Sequence, residues 1–384
     1  MSRPDGFRRA LEAFVGIRFL EGNSVRRLRN GVEIFPAMLR AVRLARHRID
    51  FVTFVYWTGD IARQMADALS ERARAGVEVR VLLDAVGASQ MADGLIDQMT
   101  ESGVEVSWFR PVARWKVWET DHRTHRKILV VDDQVAFTGG VGVAAEWEGD
   151  ARDPSEWRET HFELRGPVVD GLRAAFLADW RDTGGEMYSD GRVPEAPPRA
   201  GDVVLGVVDA SAQIELNMAA RTFETILDFA RTRVWIGTPY FNPTPELTRR
   251  LIAAAERGVE VRVMLPGEHI DKRVSLVSAQ EQAGALLDAG VWLHRFEPTM
   301  YHVKLVLADD SLSMFGSVNF NERSLYKDEE VAVVALDSGL NAILAQDYLD
   351  DMDRCTTITD SDHLQRSWGE VAAAKLVKPF ESEM

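Results

Sequence analysis

Two stretches of this chain carry residues that could do chemistry, and they are one pattern written twice. The first is His125-Arg126-Lys127-Ile128-Leu129-Val130-Val131-Asp132, and the second is His302-Val303-Lys304-Leu305-Val306-Leu307-Ala308-Asp309. Both read H-x-K-x-x-x-x-D, and both run on into a glycine-containing pair, Gly139-Gly140 and Gly316-Ser317. A single H-x-K arises by chance in many chains. Two copies with the same aspartate offset and the same glycine downstream do not.

The apolar run after each lysine is short and ends in Asp-Asp, as a strand entering a tight turn does. Residues two apart on a strand share a face, so each histidine should stand beside its lysine. An imidazole can act as nucleophile or general acid near neutral pH. An ammonium neutralises phosphate oxygens and the charge that develops on them. Two such pairs converging on one phosphodiester need no metal and no other cofactor. The remaining histidines (His47, His122, His161, His269, His294, His363) show no metal-type spacing with acids or with the lone Cys355.

The paired motifs resemble the phospholipase D superfamily. In the first half, Gly76 to Asp84, His125 to Gly140, Trp157-Arg158-Glu159-Thr160-His161 and Gly166-Pro167 are similar to its bacterial cardiolipin synthases. In the second half the same holds for Thr238-Pro239-Tyr240-Phe241, Gly258 to Val263, Gly316-Ser317-Val318-Asn319-Phe320 and Arg323-Ser324. The resemblance extends over roughly residues 21–380. It implies a covalent phosphohistidine: one histidine attacks phosphorus while the other protonates the leaving alcohol and then activates the incoming one. Attack falls to His125 by this resemblance and acid–base work to His302, with the reverse assignment the alternative. Lys127 and Lys304 complete the pairs.

Asp132 and Asp309, the motif's third letter, count with the catalytic set. Their position, where each strand turns, favours a structural role. A working imidazole still needs a carboxylate on its other nitrogen. Glu159 and Glu330, 34 and 28 residues after the two histidines, are the candidates, and Glu330 matches the family's acidic position. The resemblance also places Gly140, Ser317 and Asn319 around the phosphate. Here the first copy departs from the family, with Gly142 where an asparagine is usual.

The duplication extends beyond the motif. Gly258-Val259-Glu260-Val261-Arg262-Val263 repeats Gly76-Val77-Glu78-Val79-Arg80-Val81 at a distance of 182 residues, and the two H-x-K copies are 177 apart. A near-constant offset means one folding unit was duplicated, the copies packing as a pseudo-dimer. Helical patterns over 32–46, 61–75, 219–231 and 246–257 alternate with apolar runs over 49–57, 77–84, 203–208 and 234–237. This predicts an α/β fold: two duplicated α/β/α repeats around one active site, with a largely parallel sheet. The expected division is a lead helix over 1–24, a first unit over 25–183 and a linker over 184–201. A second unit over 202–360 and a helical tail over 361–384 follow. Phe7, Leu11, Phe14 and Val15 in the lead segment suit a helix packed on the body or one lying on lipid.

The difference in offset has a location. Between its last proline and its histidine the first copy carries ten extra residues, Val112 to Asp121, with Arg114, Trp115, Lys116 and Trp118. Interleaved tryptophan and basic residues suit an anionic lipid interface, or else a loop capping the cleft.

The formal charge of −15 makes nucleic acid a poor partner. The single cysteine excludes an internal disulfide. No apolar run is long enough to span a bilayer, whereas better-known cardiolipin synthases generally carry N-terminal membrane helices. These features predict a cytoplasmic protein, peripheral on the inner face of the plasma membrane, with a phospholipid substrate. The expected reaction is phosphatidyl transfer of cardiolipin-synthase type. The alternatives are phospholipase D-type hydrolysis by the same centre and, less in keeping with two intact motifs, a nuclease or an idle binding scaffold.

Overall fold

A strand covered on both sides must be apolar at nearly every position, and the short runs of this chain are. The computed structural model describes residues 3–111, 122–187, 196–211, 217–271 and 283–359. Its first half contains α1 (Arg3–Phe14), β1 (Phe19–Arg29), α2 (Asn30–Leu44), β2 (Arg48–Thr53), α3 (Asp60–Arg74) and β3 (Glu78–Asp84). Then come α4 (Asp93–Glu101), β4 (Glu105–Phe109), β5 (Ile128–Val131), β6 (Val135–Gly139), β7 (Thr160–Arg165) and α5 (Val168–Asp182). The second half opens with β8 (Val203–Ala210), α6 (Met218–Phe229), β9 (Arg233–Gly237), β10 (Phe241–Asn242), α7 (Pro245–Glu256) and β11 (Glu260–Pro266). It continues through β12 (Trp292–Phe296), β13 (Leu305–Ala308), β14 (Leu312–Gly316), β15 (Phe320–Asn321) and α8 (Glu322–Tyr326). It closes with β16 (Glu330–Leu336), α9 (Ser338–Met352) and β17 (Cys355–Thr357).

Fifteen of these strands form one sheet in the order β17-β12-β11-β9-β13-β14-β16-β8-β1-β7-β6-β5-β2-β3-β4. The order reads the same outward in both directions from the β8–β1 pair, apart from the extra β17. β1 and β8 run antiparallel, Leu20 opposite Leu205, and so fuse the two copies edge to edge. On one face lie α1 to α4, α6 and α7 over two separate cores. On the other, residues of both halves share a single core that includes Leu172, Phe176 and Trp180 of α5 with Leu344 and Tyr348 of α9. Phe162 and Phe315 stack there, ring centroids 3.7 Å apart.

Two expectations need correction, and one pair of alternatives is decided. The sheet is not largely parallel: β2-β3-β4 and β9-β11-β12 are parallel, and the other pairings are antiparallel. The cause is the Asp-Asp turn, which folds β5 onto β6 and β13 onto β14 as hairpins, leaving no room for a crossover helix. The lead helix stops at Phe14, and the expected boundary between residues 24 and 25 falls inside β1. That strand is masked in the sequence by its arginines, which are partnered across the fold: Arg27 with Asp347 at 2.8 Å and Arg29 with Asp351 at 2.8 Å. Of the two readings of the lead segment, the structure has the packed helix. Phe7 and Leu11 are buried in the second half's core, while Phe14, 57% exposed, pairs with the ring of Phe229.

Asp132 and Asp309 hold the turns. Each adopts a left-handed backbone, φ 52° and 51°, which aspartate tolerates better than most residues. Asp132 accepts from the backbone N–H of Arg46, His47 and Arg48 at 2.8, 2.7 and 2.9 Å. Asp309 does the same for Arg231 and Thr232, at 3.0 and 2.8 Å, and for the Thr232 hydroxyl at 2.8 Å. Each aspartate thus ties its hairpin to the chain entering β2 or β9. Asp309→Ala should cost about 1–3 kcal/mol of stability, since it orphans charge-assisted bonds. A four-residue strand, about 13 Å long, separates Asp309 from Lys304, so turnover per folded molecule should stay within severalfold. Thermal melting and kcat measured together decide it. A collapse of kcat with an unchanged Tm would return Asp309 to the chemistry.

Candidate active site

Each H-x-K segment immediately precedes its strand, β5 or β13. These strands run antiparallel to β2 and β9, so their beginnings lie beside the C-terminal ends of the parallel strands, where open α/β sheets form their crevices. The segments are held there by the opposite half. His125 N–H donates to the Glu329 carbonyl at 2.9 Å, and Glu329 N–H to the Arg123 carbonyl at 2.8 Å. In the symmetric place, His302 N–H donates to the Arg158 carbonyl at 2.8 Å and Arg158 N–H to the Met300 carbonyl at 2.9 Å.

Those exchanges carry the carboxylates across. Nδ1 of His125 lies 2.8 Å from Oε1 of Glu330, and Nδ1 of His302 lies 2.6 Å from Oε2 of Glu159. Counting along the chain suggests that each histidine uses the glutamate that follows it. The geometry crosses them instead, each imidazole held by the other copy's carboxylate. With Nδ1–H donated to a carboxylate, Nε2 of each ring is left for a substrate. Neither pair can form from one copy alone.

The lysines curl back beside the rings. Lys127 Nζ donates to the His125 carbonyl and Lys304 Nζ to the His302 carbonyl, each at 2.8 Å. Lys304 Nζ also lies within 3.3 Å of both ring nitrogens of His302. Burial pushes Lys127 down to about 7 and Lys304 down to about 8, against the pull of the nearby glutamates. Burial likewise pushes Glu159 and Glu330 up to about 7, with the lysines and local hydrogen bonds opposing. Two acids and two bases are thereby brought close to neutrality, as acid–base chemistry at ordinary pH requires.

His125, Lys127 and His302 line one cavity of about 120 Å³. Its walls differ. Phe54, Trp57, Trp147 and Trp157 come from the first half, and Tyr240, Asp271, Asn319, Arg323, Ser324 and Asp328 from the second. Trp147 and Trp157 flank His302 with centroids 5.2 Å from its ring, and Phe54 meets His125 edge-on at 5.1 Å. Nothing in the spacing of the tryptophans marked Trp57 or Trp147 as cavity residues. Trp157, next to Arg158-Glu159, carried some signal.

Of the residues expected around the phosphate, Asn319 lines the cavity. Gly140 and Ser317 stand behind the carboxylates. A Cβ on Gly140 would come within 2.3 Å of Glu159 Oε2, and Ser317 Oγ accepts from Val331 N–H at 3.0 Å. Gly142 has a steric reason: a Cβ there would meet Val55 at 2.8 Å and Trp147 at 3.0 Å, so the indole fills the place of the usual asparagine. Asp132 and Asp309, at the far ends of their strands, are outside the cavity lining. Arg114, Trp115, Lys116 and Trp118 lie outside the described residues. Among the described residues, no helix is long and apolar enough to cross a membrane.

The family described as cardiolipin synthase, PLD-like domain, matches residues 38–146 and 224–355, one segment in each half. Cardiolipin synthase 2 of Bacillus cereus is 32% identical over 345 residues, covering 89% of this chain and 66% of the relative. Cardiolipin synthase 1 of the same organism is 28% identical over 366 residues, covering 93% of this chain and 72% of the relative. The chain thus spans about two thirds of the length of these relatives. Among solved structures, the phosphatidylserine synthase of Haemophilus influenzae Rd KW20 shares the fold with a TM-score of 0.70, at 16% identity and 97% coverage of both chains.

The pKa values set the pH dependence. The imidazoles are held only while Glu159 and Glu330 are ionised, so activity should fall as pH drops through about 7. The lysines assist only while charged, so it should fall again as pH rises through about 7 to 8. A narrow bell in kcat/KM is expected. A profile flat from roughly pH 5.5 to 9 would remove the four groups from the reaction.

Proposed function

Because the chain belongs to the cardiolipin synthase family of phospholipase D-like proteins, we propose that it is a phosphatidyltransferase joining phosphatidylglycerol-like lipids through a phosphatidyl-histidine. The observation that carries this reading is the pair of crossed His–Glu contacts, each with its lysine, around one cavity. Nε2 of His125 attacks phosphorus and the bond to the leaving glycerol oxygen breaks, while His302 gives that oxygen its Nε2 proton. His302, now neutral, takes a proton from an incoming lipid hydroxyl. That oxygen attacks phosphorus, the P–N bond breaks, and both imidazoles return to their starting states. Lys127 and Lys304 balance the charge on the phosphoryl oxygens. Glu330 and Glu159 fix the tautomers and stabilise the cationic rings.

Incubation of the protein with phosphatidylglycerol vesicles, followed by mass analysis, tests the reaction. Cardiolipin and glycerol are expected. Phosphatidic acid in their place would mean that water is the acceptor, and no product would remove the assignment. His125→Ala and His302→Ala should each lose turnover by more than about a thousandfold. His302→Ala should still trap the phosphatidyl group on His125, and an adduct found only in His125→Ala would reverse the two roles. Activity should also survive chelators. Inhibition by EDTA that a divalent metal restores would sink the metal-free scheme.

The protein, at formal charge −15, is repelled by an anionic bilayer over a Debye length of about 8 Å. We infer that it reaches lipid through the basic, aromatic insertion with Arg114, Trp115, Lys116 and Trp118. Each basic residue contributes roughly 1 kcal/mol near such a surface, and tryptophan prefers the headgroup region. The combined change Trp115→Ala and Trp118→Ala should lower activity on vesicles far more than on a short-chain soluble phosphodiester. Equal losses would assign the tryptophans to the cleft.

A further inference from the structure

The two halves of the site are related by symmetry but are not equivalent. At the constant offset of 177 residues that relates the two motifs, the turn that starts at Gly139 corresponds to the one that starts at Gly316, Gly142 to Asn319 and Trp147 to Ser324. The backbone supports this register: Val143 bridges Tyr56 in parallel, as Phe320 pairs with Phe241 in parallel. The two side chains that differ both face a catalytic pair.

In the second half Ser324 Oγ donates to Glu330 Oε1 at 2.6 Å, the same oxygen that receives His125 Nδ1–H at 2.8 Å. An ionised carboxylate only accepts, so the serine proton is committed to it. The oxygen of Ser324 is then free to accept, and Asn319 Nδ2 donates to it at 3.1 Å. This orders the amide: Asn319 Oδ1, buried and with no hydrogen-bond partner among the described residues, is an acceptor in a residue that lines the cavity. Ser324 is itself fixed, its backbone N–H donating to Asn321 Oδ1 at 3.1 Å as α8 begins. The first half has none of this. Gly142 has no side chain, Trp147 sets an indole edge against His302, and the second oxygen of Glu159 takes the Thr160 N–H at 2.9 Å.

We propose that Ser324 is a positioning residue for His125, and that with Asn319 it forms a one-sided hydrogen-bond chain from the cavity wall through Glu330 to the imidazole. The chain makes the two histidines non-interchangeable. Both glutamates have a second donor, but that of Glu330 is a side-chain hydroxyl on the very oxygen that holds His125, whereas that of Glu159 is the Thr160 N–H on its other oxygen. The hydroxyl steadies the Glu330 anion, so His125 retains Nδ1–H and presents an Nε2 lone pair. His302 has the rings of Trp147 and Trp157 beside it in place of such a chain. The other groups acting on Glu330 are Lys127 and Lys304, which favour the carboxylate, the Ser317 hydroxyl, which does the same, and Asp328, which opposes it. Arg126 also senses its charge. The lysines and Ser317 have counterparts or remain in any Ser324 variant, so removing the hydroxyl isolates its share. The unpartnered Asn319 Oδ1 matches a substrate hydroxyl, a feature that rests on the transfer reading above; the positioning role of Ser324 does not.

The test uses the full chain with Ser324→Ala, Ser324→Thr and Ser324→Cys, each checked by thermal melting. Ser324→Ala should lower kcat/KM about tenfold or more, the scale of a hydrogen bond to a charged group. It should also move the acidic limb of the pH profile upward and slow phosphohistidine formation in rapid quench. Threonine, which keeps the hydroxyl, should reverse the limb shift. Cysteine, a weak donor of similar size, should behave like alanine and stands in for it if alanine fails to fold. NMR titration of the His125 imidazole should show the same displacement without any substrate, so the inference can be read even if no lipid turns over. An acidic limb and a His125 titration both unmoved in the alanine or cysteine variant would overturn it, whatever happens to Tm.

Discussion

The structure depends on a reciprocal hydrogen bond: each catalytic-type imidazole is held by a carboxylate from the other copy. Both glutamates are buried, and so are both lysines. Taking such charges out of water is expensive unless the geometry is good and the remaining lone pairs are satisfied. Crossing the pairs makes that cost contingent on docking. A single copy would expose one imidazole without its carboxylate and one glutamate without its ring. The centre is therefore assembled only by the interface, and the fusion of β1 to β8 into a continuous sheet holds that interface in register.

The surroundings of the pairs are built to the same end. Arg126, between the motif's histidine and lysine, turns away from the cavity and joins Asp179 of α5 at 2.7 Å and Glu329 of the opposite half at 3.5 Å, with Asp209 a third partner. In the matching region Arg158 meets Asp351 of α9 at 2.8 Å. Breaking one partner of a buried pair commonly costs about 3–5 kcal/mol. These arginines thus clamp the two segments whose backbones position His125 and His302. They cost the fold little where they stand, because each guanidinium is paired on several sides.

Much of this was legible in the sequence, because duplication makes pattern visible. The H-x-K copies and the Gly-Val-Glu-Val-Arg-Val repeat marked β5, β13, β3 and β11, and the period of the helices located α2, α3, α6 and α7 within two residues. The turn role of Asp132 and Asp309 also followed from where they fall. What could not be read is what depends on space. Offsets along one copy say nothing about which glutamate meets which ring. β1 hides because its polar face is satisfied by α9 rather than by water. The antiparallel hairpins follow from a turn whose direction apolar patterning does not encode. Ser324 sat inside a stretch whose family resemblance was plain, yet its partner becomes evident only when Glu330 is seen beside it.

Symmetry explains how such a site could arise, and broken symmetry explains how it can run a directional reaction. A perfectly two-fold site would offer the phosphorus two equal nucleophiles and two equal acids, with no preference for which ring enters the covalent state. Here the scaffold has kept the symmetry where it carries the fold, in the strand order and in the crossed pairs. It has given up the symmetry in the few residues after each glycine turn. An asparagine and a serine stand on one side, a glycine and a tryptophan on the other. The space beside Gly142 is taken by Val55 and by the same Trp147 that stands in the serine's place. The substitution of one makes room for the other, so the polar chain on His125 and the aromatic wall on His302 are a coupled pair of features. Restoring either half of the exchange alone would leave a clash or a gap, which is why the asymmetry is stable.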